Sequence, residues 1–180
     1  FSSIDWQYLE DMIPFAPAAQ LESSASNALK NRRGGKLLNL DKMLLHSPPY
    51  AAGWNALLGN VRNNLLVSDK LSELVILGVA ILNNAPYEFI QHIQPYESAG
   101  SSRIQREILK TLMDQQVQDF DMIINDSFCT EFDDVEKDVL RLTYATTILS
   151  SKVSTKEKEA LYDRLKNTLP SYPGTKRVGG

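Results

Sequence analysis

The chain has 180 residues, 43% of them hydrophobic and 23% charged, with a formal charge of -3. That length suits one domain around a single core, and that balance of apolar and charged residues excludes a disordered chain. The acidic excess also disfavours nucleic acid as a partner, because there is no surplus of basic residues to neutralise phosphates.

Helical patterning dominates the chain, with no internal repeat and no convincing strand alternation. Ile4–Ile13 carries apolar residues at helical spacing and stops before Pro14. Residues 16–31 are predicted as a short helix ended by Gly34 and Gly35, and the basic cluster Lys30–Lys36 around that break is read as a solvated loop. Leu37, Leu40, Leu44 and Leu45 then mark one face of a helix within Lys36–Ser47. Ser47 before Pro48 and Pro49 is a cap followed by prolines, which suit a first turn because they lack an N–H that would be unpaired there anyway. The helix that follows is predicted to run to about Asn64, with Tyr50, Trp54, Leu57, Leu58 and Val61 as its apolar stripe.

Ser68 and Asp69 cap a helix ending at Leu82, and Pro86 opens another that runs to Gly100. Ser101 and Ser102 cap a helix over Arg103–Met113. Asp133–Glu136 and Ser154–Glu157 have capping-box spacing, each ahead of a further helix. The predicted class is all-α: a helical domain over residues 37–169, preceded by an N-terminal helical extension over 1–36 and followed by a flexible tail over 170–180.

The longest apolar run, Leu74–Leu82, has nine residues, against about 20 for a membrane-spanning helix. No membrane partner is therefore expected. The chain opens without a signal-peptide pattern, so a cytoplasmic location is the default expectation. Cys129 is the single cysteine. It can form no intrachain disulfide, CxxC pair or multi-cysteine zinc site, and its acidic neighbours argue against a reactive thiolate.

The chemistry-bearing residues are few. There are only two histidines, His46 and His92. Glu88, His92 and Tyr96 share one helical stripe, and a carboxylate beside an imidazole favours its charged form and fixes its orientation, which suits a general acid. The same pair can equally be a surface contact of small energy. Glu73 stands just before the apolar run, beside Leu71, Leu74 and Leu77. A carboxylate in that company is costly to desolvate unless it is paired or serves a site, whereas in a wet first turn the helix dipole alone would favour it. His46 reads most simply as a histidine near a helix end, meeting free carbonyls. Trp54, Tyr50 and Phe89 read as core or subunit contacts rather than a substrate platform. A metal site from Glu73, Glu88 and His92 with His46 is a third reading, but bundle di-iron sites use Glu-x-x-His, not the Glu-x-x-x-His found here.

The stretch "ELVILGVAILNNAPYEFIQHIQPYESAG", with "LLHSPPYAAGWNALLGNV" upstream, resembles the carboxymuconolactone decarboxylase family, which shares the alkylhydroperoxidase D-like fold. The resemblance covers about Leu37 to Leu112, and more loosely Asp133 to Leu169. The family's peroxidase branch carries Glu-x11-Cys-x2-Cys-x3-His. Counted from Glu73, that pattern puts Ala85 and Glu88 at the two cysteine positions and His92 at the histidine. Peroxidase chemistry needs an attacking thiolate and a resolving thiol, so the chain resembles the decarboxylase-like branch instead.

What the resemblance implies is cofactor-free decarboxylation of a small carboxylated lactone or related acid, with no metal. Glu73, Glu88 and His92 would be the catalytic residues, and His46, Tyr87 and Trp54 would bind substrate. His92 would donate the proton or hold the substrate carboxylate, Glu88 would orient and charge the imidazole, and Glu73 would relay a proton or hold the ligand. Self-association as a trimer or hexamer is implied as well. Ser72 departs from the family, standing where an arginine is common. The alternative is an oligomer of the same fold with a different or lost activity, serving as a binding module.

Overall fold

The computed structural model describes residues 14–117, 120, 130–148 and 154–168. The predicted helix over Ile4–Ile13, Cys129 and the tail from residue 170 lie outside them. The described residues are all-α, with nine helices and no strand among them: α1 Ala18–Leu21, α2 Ser24–Arg32, α3 Asn39–Leu44, α4 Pro48–Asn63, α5 Asp69–Leu82, α6 Pro86–Ser98, α7 Arg103–Asp114, α8 Asp134–Thr147 and α9 Thr155–Thr168. No helix among them is long and apolar enough to cross a membrane.

Contacts gather the helices into two compact units that meet in sequence at Leu65 and Leu66. The expected division lay between residues 36 and 37, within an otherwise single domain. The division falls later because α2, from the expected extension, packs on α4.

The first unit holds α1 to α4 around Ala16, Ala25, Leu29, Leu45 and Ala51. The helix expected over residues 16–31 is two helices. The Ser23 hydroxyl donates to the carbonyl of Gln20 at 2.6 Å and accepts the amide of Ser26 at 3.2 Å, so one side chain ends α1 and caps α2. The leucine-patterned segment 36–47 is helical only over Asn39–Leu44. Asp41 sets its start by accepting the amide of Leu38 at 2.8 Å, and it is fully buried, with Arg33 at 2.6 Å as its counter-charge. On α4 the expected apolar stripe is not the buried face. Ala51 is the buried residue, while Tyr50 and Leu57 are 58% and 56% exposed. A small residue lets the helix sit close to its neighbours and turns the larger side chains outward.

The second unit is organised by α5, which contacts α6, α7 and α8, while α9 packs on α8. Leu74, Leu77 and Ile81 of α5 meet Phe89 and Tyr96 of α6, Leu109 of α7 and Leu140 of α8. Gly78 permits the close approach of α5 to α8: a Cβ there would stand 3.2 Å from the Thr143 methyl and 3.4 Å from Leu140 Cδ2.

Two capping boxes are joined in this unit. Gln105 Oε1 accepts the amide of Ser102, which begins α7, and Glu136 Oε2 accepts the amide of Asp133, which begins α8. Gln105 Nε2 then donates to Glu136 Oε2 at 2.9 Å in a buried contact, and Lys70 of α5 lies 2.7 Å from Glu136 Oε1.

Arg164 of α9 holds α8 through Nε and Nη2 donated to the two oxygens of Asp138, at 2.7 and 2.9 Å. That hydrogen bonding keeps the Asp138 carboxyl below its ordinary pKa despite the opposing effect of burial, and Arg141 adds to the lowering. A carboxylate lowered on folding stabilises fully above its unfolded value, about pH 4, and that stabilisation disappears as pH falls through the lower folded value. Asp138→Asn is therefore expected to lower Tm at pH 7, with the gap from wild type narrowing as pH falls below about 4. A gap of constant size from pH 7 to 2.5 would show that the lowered carboxyl is not its cause.

Candidate functional site

The α5–α6 hairpin builds the site. Ser68 caps α5 by accepting the amide of Leu71, and Pro86 opens α6. Between the two helices the chain reverses through Asn84, at φ 49°, a left-handed conformation that asparagine tolerates better than most residues. The amide of Ala85 closes the turn on the carbonyl of Ala80 at 2.8 Å. The reversal lays α6 against α5 and brings together two side chains 19 positions apart, Glu73 and His92.

His92 Nδ1 donates to Glu73 Oε2 at 2.6 Å. An ionised carboxylate only accepts, so this contact fixes which ring nitrogen carries the proton on that side. The Glu73 side chain is 7% exposed and that of His92 14%. The wet first-turn alternative for Glu73 is thus excluded: the carboxylate is buried and paired, as its desolvation cost requires. On the other side of the ring, Nε2 lies 3.3 Å from Oε1 of Glu88, whose side chain is 49% exposed.

Both carboxylates meet the ring, and they do so unequally. Glu88 was expected to orient the imidazole, but the short, buried contact comes from Glu73. Helical i,i+4 spacing carries Glu88 only to the ring's outer edge. A ring held at Nδ1 by a buried carboxylate, with Nε2 turned toward an accessible side, can pass a proton at Nε2 and return to the same tautomer.

The other candidates are distributed unevenly. Tyr87 lies half-buried in the first turn of α6. His46 and Trp54 belong to the first unit. His46 is exposed, with Nε2 2.8 Å from the carbonyl oxygen of Pro14, and Trp54 stacks on Tyr50 with ring centroids 6.4 Å apart. Lys70, one helical turn before Glu73, is committed to Glu136. Tyr96, one turn beyond His92, is fully buried, and its hydroxyl has no hydrogen-bond partner. Burial, aided by the charge of Glu136, pushes its pKa up, which keeps the phenol neutral.

Glu136 and Gln105 were not singled out as interior polar residues. The spacing of Asp133 and Glu136 and the caps Ser101 and Ser102 marked the helix starts, but not that Gln105 closes a capping box of its own and bonds Glu136. No group of three or more His, Cys, Asp or Glu side chains among the described residues is arranged to hold a metal ion. Set against protein-family models, curated proteins and solved structures, the chain finds no match in any of the three.

Proposed function

We propose that the chain is a cofactor-free carboxy-lyase of the carboxymuconolactone decarboxylase type, on an alkylhydroperoxidase D-like helical arrangement, acting on a small carboxylated lactone or related acid. The observation that carries this reading is the buried Glu73–His92 contact at 2.6 Å. It joins the glutamate and histidine that the sequence pattern pairs, while Ala85 and Glu88 occupy the positions where a peroxidase needs sulfur.

In the reaction, the bond to the substrate carboxyl carbon breaks and CO2 leaves. The electron pair stays behind as a dienolate delocalised through the unsaturated lactone. His92 delivers its Nε2 proton to the distant carbon of that dienolate, and Glu73 holds the ring that remains, still protonated at Nδ1. The exposed edge of α4, with Tyr50, Leu57 and Val61, is consistent with the self-association as trimer or hexamer that belongs to this reading.

A second reading, a fold-sharing oligomer that binds a small acid without turning it over, is favoured by Lys70. Its ammonium is committed to Glu136 and is not held ready for a substrate carboxylate. Turnover and thermal shift with a panel of lactone acids separate the two. Under the lyase reading, one acid is consumed with release of CO2, and His92→Ala abolishes that consumption. Binding without consumption by wild type favours the second reading, and turnover undiminished in His92→Ala removes the proposed role of His92.

A further inference from the structure

Two carboxylates face one imidazole, and they are not equivalent. Glu73 is buried, comes from another helix and approaches Nδ1 at 2.6 Å. Glu88 is half-exposed, lies on the same helix as His92 and approaches Nε2 at 3.3 Å. That second distance is longer than the roughly 2.7–2.9 Å of a charge-assisted N–H···O contact. Exposed i,i+4 pairs on a helix are among the weakest ion pairs, since water solvates the carboxylate almost as well as the partner does. Glu88 can therefore leave Nε2 at little cost, whereas Glu73 cannot leave Nδ1 without stranding a buried charge.

We propose that the Nε2 face of His92 is a binding site for a small monocarboxylate, and that Glu88 is its resident occupant, an autoinhibitory contact that the incoming carboxylate displaces. The ligand presents the same planar, singly charged pair of oxygens that Glu88 presents. The two exclude each other, because a third carboxylate beside one imidazole meets like charge. Lys70, one helical turn before Glu73, is already paired with Glu136 at 2.7 Å and is not held ready for the ligand. Once displaced, the Glu88 carboxylate turns into water. The proposal rests on reading Nε2 as the working nitrogen of the lyase site, but it does not require decarboxylation.

The test is a benzoate titration of the full chain carrying isotope-labelled histidine, followed by the ring signals of His92 at constant ionic strength, with benzamide as the uncharged control. Wild type is expected to show a saturable benzoate shift that benzamide does not reproduce. Glu88→Gln keeps the volume and the helix but removes the competing charge, and is expected to bind benzoate about twofold more tightly. His92→Gln removes the reporting ring, so its binding is followed by calorimetric titration with benzoate alongside wild type, and the tight binding should be abolished. Equal or weaker affinity in Glu88→Gln would overturn the displacement, and so would a benzamide shift equal to that of benzoate. The absence of a saturable shift in both proteins would overturn the site. If benzoate binds in the Glu88-sensitive way while no lactone acid is turned over, the lyase reading fails and the binding site stands.

Discussion

Glu73→Gln is expected to lower any turnover that runs through His92 by about 10²–10⁴-fold, the range over which a positioned acid–base group accelerates proton transfer. The substitution is close to isosteric and keeps an oxygen that can accept from Nδ1, so the hairpin should still close. What it removes is the buried negative charge 2.6 Å from the ring. Without that charge the ring loses its buried acceptor of fixed sense, and the amide can rotate to offer N–H instead of oxygen, favouring the wrong tautomer. The stability cost should be about 1–2 kcal/mol, since a neutral hydrogen bond replaces a charged one. Two measurements check this: kcat on whichever lactone acid is consumed, and the Nδ1 proton signal of His92, which should move strongly upfield. A variant within twofold of wild type in kcat would mean that Glu73 holds structure only.

Glu136→Ala is expected to be the more damaging change to the fold, costing about 3 kcal/mol. Removing one member of a buried ion pair costs about 3–5 kcal/mol when its partner is trapped. Here Lys70 is 30% exposed and can extend into water, which reduces that part of the cost. Two further losses restore it: the amide of Asp133 loses its Glu136 acceptor, while Asp133 still caps α8 through the amide of residue 136, and Gln105 Nε2 loses one of its two acceptors. Glu136→Gln should recover part of the loss, because an amide oxygen can still accept from Asp133 and Gln105. Urea unfolding of the three proteins at pH 7 gives the comparison. A Glu136→Ala midpoint equal to wild type would show that the joined capping boxes contribute nothing to stability.

Much of the helical layout was legible because helix starts are written locally. Ser68, Pro86, Ser102 and Asp133 act within three residues of themselves, and each marks an observed start. Phe89 was read among core or contact residues and is buried in the second unit. The failures lie where a distant partner decides. The burial of Asp41 depends on Arg33, and α4 turns Ala51 inward in place of its larger apolar residues. Ser23 looked like one serine among several in a helical stretch, yet its two hydrogen bonds divide that stretch. At the candidate site, periodicity pointed to Glu88 because it is one helical turn from His92. The closer partner lies across a turn whose geometry depends on the left-handed backbone of Asn84, and local spacing does not report that geometry.

The position of α5 has a consequence for how the site moves. Glu73 sits on the helix that touches α6, α7 and α8, so its backbone is clamped from several sides. Amide protons in such a segment exchange with solvent by opening of the whole cooperative unit rather than by fraying. The amides of Leu74, Leu77 and Ile81 should therefore exchange at the rate of global opening, and the Glu73–His92 contact should persist for as long as the second unit stays folded. Motion at the site is then confined to its outer side, where side-chain rotation of the half-exposed Glu88 takes picoseconds to nanoseconds.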